Sequence, residues 1–412
     1  MNQLFLQKWH PRHWLLPLGI MGTSIMLVFI LNIFVPHKGY FLPSITQVDS
    51  FIEQSNFFAA LAINLTWWLF WALLAIATIL IPYFLYKSIQ FLKSGAHQIS
   101  DKNAMETAGW FGVSLTLAMF GNVTSFATVM FFELNAKADD FIWPFWLAYN
   151  TAIALMALFQ YIWYRQAKQQ ADQPEQSSMV VPFALGFMGL NLAGPGAMGS
   201  HDVVVSISIF LSIGFMLLSM YAWLTKLATF KKDSKALFAY KNDNTDATKT
   251  KNWSQLMNFG TAVTTFNVWL ITSVRNYLNY GHHFSEFELA TKNMITWGAA
   301  ITVPIALLVL FLLWKRGFFA HLFKAQQPLV FSLGLICMLV SSYVITALYT
   351  MTALKLGLIA KGSGIIYLLI GVETILLSVT VFSVIALIYR MIIKQNVQCW
   401  KNEEVQQHLT RS

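Results

Sequence analysis

The chain has 412 residues, of which 57% are hydrophobic, 15% aromatic and only 11% charged, and its mean hydropathy is +0.56. Soluble domains carry about 25% charged residues, so this composition excludes a soluble enzyme, a disordered regulator and a coiled-coil rod. It favours a multi-pass helical membrane protein, in which the net charge of +9 reflects basic loops on one side of the bilayer rather than nucleic-acid binding.

Ten windows of the chain are long and apolar enough to cross a bilayer, which takes about 20 residues per helix. Only the tenth window is interrupted by an ionisable side chain, Glu373. The basic loop between the sixth and seventh windows, at 226–251, is predicted to be cytoplasmic. The C-terminal tail at 394–412 is predicted to be on the same side. The ten transmembrane helices are predicted at about 14–36, 57–86, 107–132, 141–164, 179–199, 203–225, 253–276, 293–314, 327–353 and 363–389.

The distribution of basic residues predicts the orientation of the chain. The end segments and the loops after even-numbered helices hold 21 Lys and Arg residues, against six on the opposite side. Because cytoplasmic loops are enriched in Lys and Arg, we expect both termini in the cytoplasm, and the chain in a cell membrane, the inner one in a Gram-negative cell. The basic loop at 226–251 carries no apolar core and is predicted to be a solvated segment.

A glycine recurs near the start of each odd-numbered helix, and the last three intervals are each 74 residues. This spacing predicts an all-α integral membrane fold in which five tandem helix hairpins surround a quasi-five-fold central axis. The odd-numbered helices are expected to form the inner ring. The glycines would serve close helix packing, the lining of a pore, or both. They are Gly19, Gly112, Gly186, Gly260 and Gly334.

The start of the first helix reads Pro-Arg-His-Trp-Leu-Leu-Pro-Leu-Gly-Ile-Met-Gly over residues 11–22. With five tandem hairpins, this L-G-x-x-G segment resembles the tellurite-resistance and dicarboxylate transporter superfamily, which includes the plant slow anion channels. The resemblance implies a central pore formed by odd-numbered helices, an outer ring of even-numbered helices and a homo-oligomer, often a trimer. A second resemblance is to the TsoY-type membrane (seleno)proteins, whose function is not established, and the residues do not choose between the two.

The chain departs from the anion channels at the position of their gate. Those channels are occluded by a phenylalanine midway along the ninth helix, whereas residues 337–343 of this chain contain none. Phe120 and Phe266 lie at mid-depth in the third and seventh predicted helices, and they are the predicted gate residues.

Neutral polar residues recur at matched depths in the odd-numbered helices, and they predict a path for a weakly selected anion. The alternative is that each hydroxyl bonds a carbonyl of its own helix. The predicted pore-lining residues are Thr23, Thr116, Asn191, Gly194, Pro195, Gly196, Thr264, Asn267, Ser341 and Ser342.

The fifth helix contains three glycines and a proline within residues 194–199, a run that disfavours regular helix. Irregular backbone at membrane depth is tolerated only against protein or a water-filled cavity. The run therefore predicts either an unwound segment facing a solute or a kink that leads into the next helix.

Two ionisable residues complete the predicted site. Arg275, at the end of the seventh helix, is predicted to attract anions to a pore vestibule, or else to anchor the helix at the interface. Glu373, near mid-bilayer, is predicted either to couple protons to transport or to tie its helix to a neighbour as a neutral acid.

Taken together, these features predict an anion channel or an anion or dicarboxylate carrier whose partners are the lipid bilayer and a small inorganic or carboxylate anion. The alternative is a TsoY-like membrane protein that binds a ligand, or acts in redox or selenium-related chemistry, without conducting. The sequence contains no C-x-x-C, no zinc-ligand spacing and no catalytic cluster, so we expect no enzyme activity, no metal and no cofactor.

Overall fold

The computed structural model describes residues 9, 11–37, 42–93, 110–132, 142–169, 179–199, 201–238, 246–278, 284–323, 330–360 and 362–390, and within them every regular element is a helix. The helices α1 to α13 are, in order, Leu15–Phe34, Ile45–Gln54, Phe57–Lys93, Phe111–Phe132, Ile142–Gln169, Val180–Met198, Asp202–Leu224, Leu227–Ser234, Asp246–Leu278, Phe284–Lys315, Phe318–His321, Val330–Lys355 and Gly364–Ile388. Short 3-10 helices cover Pro11–Trp14 and Lys235–Leu237.

Nine of the described helices are long and apolar enough to cross a membrane, namely α1, α3, α4, α5, α6, α7, α10, α12 and α13. The chain is therefore a multi-pass membrane protein. A tenth long helix, α9, is more polar along its middle, where it carries Asn258, Thr264 and Asn267. Four of the long helices extend well beyond their predicted spans, since α3 continues to Lys93, α5 continues to Gln169, α9 begins at Asp246 and α10 begins at Phe284.

Five of the long helices contact one another in a closed order: α1 packs on α4, α4 on α6, α6 on α9, α9 on α12, and α12 on α1. We call these the inner helices. Each is followed by a long helix that packs back against it, and we call α3, α5, α7, α10 and α13 the outer helices. Burial follows this division, because 83–89% of the apolar window is buried in α1, α6 and α12, 44% in α4 and 28–39% in the outer helices.

Polar contacts join α1 to α3 and α4 to α5. Nε1 of Trp14, at the start of α1, donates to Oγ of Ser88, near the end of α3, at 2.9 Å. In the same way Oγ of Ser114 on α4 donates to Oε1 of Gln160 on α5 at 2.8 Å. In both pairs the start of the inner helix lies beside the end of the outer helix that follows it.

The tightest of these hairpins joins α6 and α7. Three serines of α7 are completely buried, and each donates its hydroxyl to a main-chain oxygen of α6. Small hydroxyl side chains let two helix backbones approach closely and bond across the gap in a medium without water. The donors Ser208, Ser212 and Ser219 pair with the carbonyls of Leu192, Gly189 and Pro182.

The repeated glycines mark the contacts between neighbouring inner helices. A Cβ on Gly186 of α6 would lie 2.7 Å from the ring of Trp269 on α9, and one on Gly260 of α9 would collide with Sδ of Met338 on α12. Gly334 faces Thr261 of α9 and Gly112 faces Trp14, directly before α1, whereas Gly19 faces Val384 of the outer helix α13 as well as Ile336 of α12. Of the two roles that the sequence leaves open for these glycines, the structure therefore shows close packing.

The prediction of a solvated segment from 226 is wrong for its first part. Residues 227–237 form α8 and a 3-10 helix that pack on α9, with the ring of Phe230 stacked on that of Phe259 at 5.3 Å between centroids. Asp233 and Ala236 are buried, and Nη2 of Arg316 donates to the carbonyl of Ala236 at 2.9 Å. Phe230 and Ala236 thus anchor a segment whose lysines remain at the surface; residues 239–245 and the tail at 394–412 lie outside the described residues.

Candidate functional site: a central cavity

A cavity of about 240 Å³ lies among the inner helices, all five of which contribute to its wall, together with the outer helix α5. The wall follows α12 from Ile336 to Met351 and α4 from Leu115 to Val129. At 1.5 Å per residue, each stretch is about 20 Å long, or about two thirds of a bilayer's hydrocarbon thickness. The cavity is therefore an elongated space inside the ring of inner helices.

The end of the cavity at which the inner helices begin is apolar, and we call it the near end. Its wall consists of Leu18, Leu115, Phe183, Phe187 and Ile336. The rings of Phe183 and Phe187, one turn apart on α6, lie 5.7 Å apart between centroids. Water that enters here finds no side-chain hydrogen-bond partner among these five residues.

Three asparagines from successive helices meet in the middle of the wall: Asn122 of α4, Asn150 of α5 and Asn191 of α6. Nδ2 of Asn122 donates to Oδ1 of Asn191 at 3.1 Å, and Nδ2 of Asn150 donates to the main-chain oxygen of Asn191 at 3.2 Å. Asn150 and Asn191 are both 7% exposed. The cluster therefore holds Asn191 at two points and leaves its amino group as the remaining donor.

That amino group, Nδ2 of Asn191, is buried and has no hydrogen-bond partner among the described residues. One turn further along α6, Gly194 lines the cavity and has open space where a side chain would begin. Since a buried donor without an acceptor is costly, this part of the wall is suited to a ligand or a water molecule that accepts a hydrogen bond.

The fifth predicted helix is not unwound, because α6 runs without interruption from Val180 to Met198 with Pro195 inside it; the kink, the other alternative, stays a prediction. A proline has no N–H, so the carbonyl four residues earlier, that of Asn191, loses its helical donor. Asn150 supplies the missing hydrogen bond from α5. The side chain of an outer helix thus keeps the proline-containing helix regular at the cavity wall.

The opposite end of the cavity, the far end, is polar and aromatic. Thr272, Arg275 and Asn276 of α9 line it, and Trp143 and Trp146 of α5 face them across the cavity. Arg275 is 6% exposed. It is the only Asp, Glu, Lys, Arg or His in the wall within the part of the chain that the structure describes, so the one charged group at the far end is a guanidinium.

The predicted pore-lining residues divide into two groups. Asn191, Gly194, Pro195 and Ser341 line the cavity, as does Arg275, the predicted vestibule residue, whereas Thr23, Thr116, Gly196, Thr264, Asn267 and Ser342 do not. Three of the latter bond their own helix, since the hydroxyls of Thr23, Thr116 and Ser342 donate to the carbonyls of Gly19, Gly112 and Met338. These three follow the alternative of local bonding.

The remaining three face other neighbours. Asn267 donates to Oγ1 of Thr302 on α10 at 3.2 Å, and Gly196 faces Ser208 and Ile209 of α7. Thr264 is completely buried between helices, and its hydroxyl has no partner among the described residues. None of the three reaches the cavity wall.

The two predicted gate residues also lie outside the cavity wall. The ring of Phe266 packs against Trp223 of α7 and Trp269 at centroid distances of 5.1 and 5.0 Å, and Phe120 is likewise absent from the lining. Mid-depth alone was the basis of that prediction, but the rotation of a helix about its axis decides which side chain faces inward. The cavity-lining rings at the near end belong instead to Phe183 and Phe187.

Glu373 of α13 is 4% exposed and lies outside the cavity wall. Oγ1 of Thr350 on α12 donates to Oε1 of Glu373 at 3.0 Å. The carboxyl group of Glu373 thus ties α13 to α12, which is the second of the two roles predicted for this residue. Proton coupling through Glu373 stays a prediction.

Sequence reasoning missed Asn122 and Asn150. The signal that points to them is an amide in the middle of an otherwise apolar span, a residue that is costly in lipid and that therefore faces the protein interior. Asn122, Asn150 and Asn191 are such amides in three consecutive long helices, α4 to α6.

Within the described ranges, no group of three His, Cys, Asp or Glu side chains is placed to hold a metal ion. The chain was also compared with protein-family models, with curated proteins and with solved structures. None of the three comparisons gave a match.

Proposed function

We propose that this protein transports an anion through the central cavity and that its ten long helices form five tandem hairpins around a quasi-five-fold axis. The observation that supports the proposal is the cavity itself, which extends over about 20 Å inside the ring and is lined by all five inner helices. A continuous space of this length inside a membrane protein is what a solute pathway requires.

The charge of the wall favours an anion over a cation. Arg275 is the only charged side chain among the described wall residues, and the polar groups in the middle are amides and a hydroxyl. A guanidinium in the wall attracts an anion and repels a cation. In the proposed orientation, with both termini in the cytoplasm, Arg275 lies toward the outer side of the membrane.

The resemblance to the tellurite-resistance and dicarboxylate transporter superfamily supports the same proposal. It would make the unit a homo-oligomer, often a trimer, in which each chain carries its own pathway. The exposed apolar side chains of the outer helices, such as Phe159 of α5 and Phe210 of α7, suit both lipid and a neighbouring copy.

A second function is favoured by the apolar near end. Phe183, Phe187 and Ile336 line that end. An apolar cavity of this kind also suits a protein that binds a ligand and does not conduct. This function corresponds to the TsoY-like alternative.

Flux into proteoliposomes tests the proposal. Chloride, nitrate and a monocarboxylate would be compared with potassium, using wild type, Arg275→Gln and the matched variant Arg165→Gln. Arg165 lies at the end of α5 and is exposed, away from the cavity. We expect anion flux that falls severalfold in Arg275→Gln and not in Arg165→Gln. Flux of potassium in preference to anions would refute the proposal, and no flux in any variant would favour the ligand-binding protein.

A further inference from the structure

The cavity joins a hydrogen-bond donor to an apolar chamber, and this combination indicates the class of its ligand. We propose that the cavity binds an amphipathic organic monoanion, a carboxylate with a compact apolar body, whose carboxylate accepts from Nδ2 of Asn191 and whose body occupies the near end. The inference deepens the proposed transport function, but the binding step that it describes does not depend on conduction.

The first step concerns Asn191. Its side chain is 93% buried, as its exposure of 7% implies, and its amino group has no partner among the described residues although Asn122 and Asn150 hold its other polar groups. Asn122 holds the side-chain oxygen of Asn191 and Asn150 holds its main-chain oxygen, so the side chain is preorganised for a ligand and loses less conformational freedom on binding. The free group is a donor, so the ligand must present an acceptor.

The second step concerns the charge of that acceptor. Arg275 lies on the same wall toward the far end, and no carboxylate is among the described wall residues. A carboxylate accepts charge-assisted hydrogen bonds that are stronger than those of a neutral carbonyl. An anionic acceptor is therefore favoured over a neutral one.

The third step concerns the remainder of the ligand. From the middle of the wall to the near end, the side chains are aliphatic or aromatic except for those of Met119 and Cys337, and Phe183 and Phe187 of α6 line this part together with Leu18 and Leu115. A small hydrated anion loses its water there without replacement, whereas an apolar body gains by leaving water. A dicarboxylate would place its second charge in the apolar chamber, so a monocarboxylate fits best.

Equilibrium binding of radiolabelled benzoate to the purified full chain in detergent tests the inference, with acetate, succinate and chloride as competitors. We expect unlabelled benzoate to compete at least tenfold better than each of the other three. Asn191→Leu removes the donor at nearly constant size and is expected to weaken benzoate binding at least tenfold. The matched change Asn267→Leu, at an asparagine that bonds Thr302 outside the cavity, is expected to leave binding unchanged.

A second pair of variants serves if Asn191→Leu does not fold. Gly194→Leu places a side chain in the open space beside Asn191 and is expected to abolish benzoate binding, whereas Gly371→Leu, at an exposed position of α13 with equal space, is not. Equal competition by benzoate, acetate and chloride, or full binding by Gly194→Leu, would overturn the inference.

Flux measurements separate this inference from the proposed function. Benzoate binding without flux of any anion would retain the inference and refute transport. Chloride flux without benzoate binding would retain transport and refute the inference, and the absence of both would refute both.

Discussion

Nδ2 of Asn150 lies 3.2 Å from the main-chain oxygen of Asn191 and donates a hydrogen bond to it. This bond replaces the one that Pro195, four residues later on α6, cannot make. An outer helix therefore completes the backbone of an inner helix at the point where that helix lines the cavity. The bond also fixes the position of Asn191, whose side chain presents the free donor.

The first prediction follows from this bond. Asn150→Leu leaves the buried carbonyl of Asn191 without a donor, and we expect it to lower the free energy of unfolding by about 1–3 kcal/mol. In a Pro195→Ala background the helix supplies its own N–H, so the same change is expected to cost much less. Equilibrium unfolding in mixed detergent micelles of the four proteins measures this coupling. Equal costs in both backgrounds would contradict the role assigned to Asn150.

The second prediction concerns two glycines of α6 that differ only in what they face. A Cβ at Gly186 meets the rigid ring of Trp269 at 2.7 Å, whereas one at Gly194 meets nothing within 4 Å. Gly186→Ala is expected to destabilise the protein by about 1–3 kcal/mol through overpacking, and Gly194→Ala is expected to leave stability unchanged or slightly higher. Thermal unfolding of both variants measures this difference in stability. Similar melting temperatures would show that α6 and α9 can move apart with little loss of stability.

The sequence predicted the helical class, the approximate position of the long helices and the importance of the repeated glycines. It placed Asn191, Gly194, Pro195 and Ser341 at the cavity and missed Asn150. The miss has a physical cause, because an outer helix was expected to face lipid and another outer helix, whereas α5 reaches the cavity with Trp146 and Asn150.

Phe120 and Phe266 lie outside the cavity wall for a related reason. A helix that faces other helices or lipid on every side carries apolar residues all round, so its sequence contains little information about its rotation. Depth could be counted from the repeated glycine, but the inward face could not. Phe183 and Phe187 lie in the wall because α6 turns that face inward.

The third prediction concerns the pH dependence of stability. Asp233, on α8 directly after the membrane-spanning α7, is 3% exposed. Burial raises the pKa of its carboxyl to about 7 from 3.8, although a hydrogen bond from Asn258 and the charge of Lys232 lower it in part. The folded state therefore holds this proton more tightly than the unfolded state does. The contribution of Asp233 to stability is greatest below about pH 4, falls as the pH rises to about 7, and is constant above that.

Asp233→Asn removes this dependence. We expect the variant to be close to wild type in stability at pH 4 and more stable than wild type at pH 8, by up to about 4 kcal/mol for a pKa raised from 3.8 to about 7. Unfolding of wild type and variant at several pH values between 4 and 8 provides the measurement. Asp49→Asn, at an exposed position on α2, is the matched control. A stability difference between wild type and Asp233→Asn that does not change with pH would show that the carboxyl stays ionised.

The last prediction concerns the apolar near end as a barrier. Phe183 and Phe187 line that end together with Leu18, Leu115 and Ile336, and an apolar constriction blocks ions because water does not remain in it. Phe187→Ala widens and wets the near end, so anion flux into proteoliposomes is expected to rise severalfold.

Phe266→Ala is the matched control for this experiment, since Phe266 packs between Trp223 and Trp269 outside the cavity. It is expected to lower stability by about 3 kcal/mol and to leave the flux per folded molecule unchanged. Increased flux in Phe266→Ala but not in Phe187→Ala would place the barrier at the seventh predicted helix after all. If both variants conduct like wild type, the near end is not the rate-limiting barrier, because removal of the Phe187 ring would then have widened that end without increasing the flux.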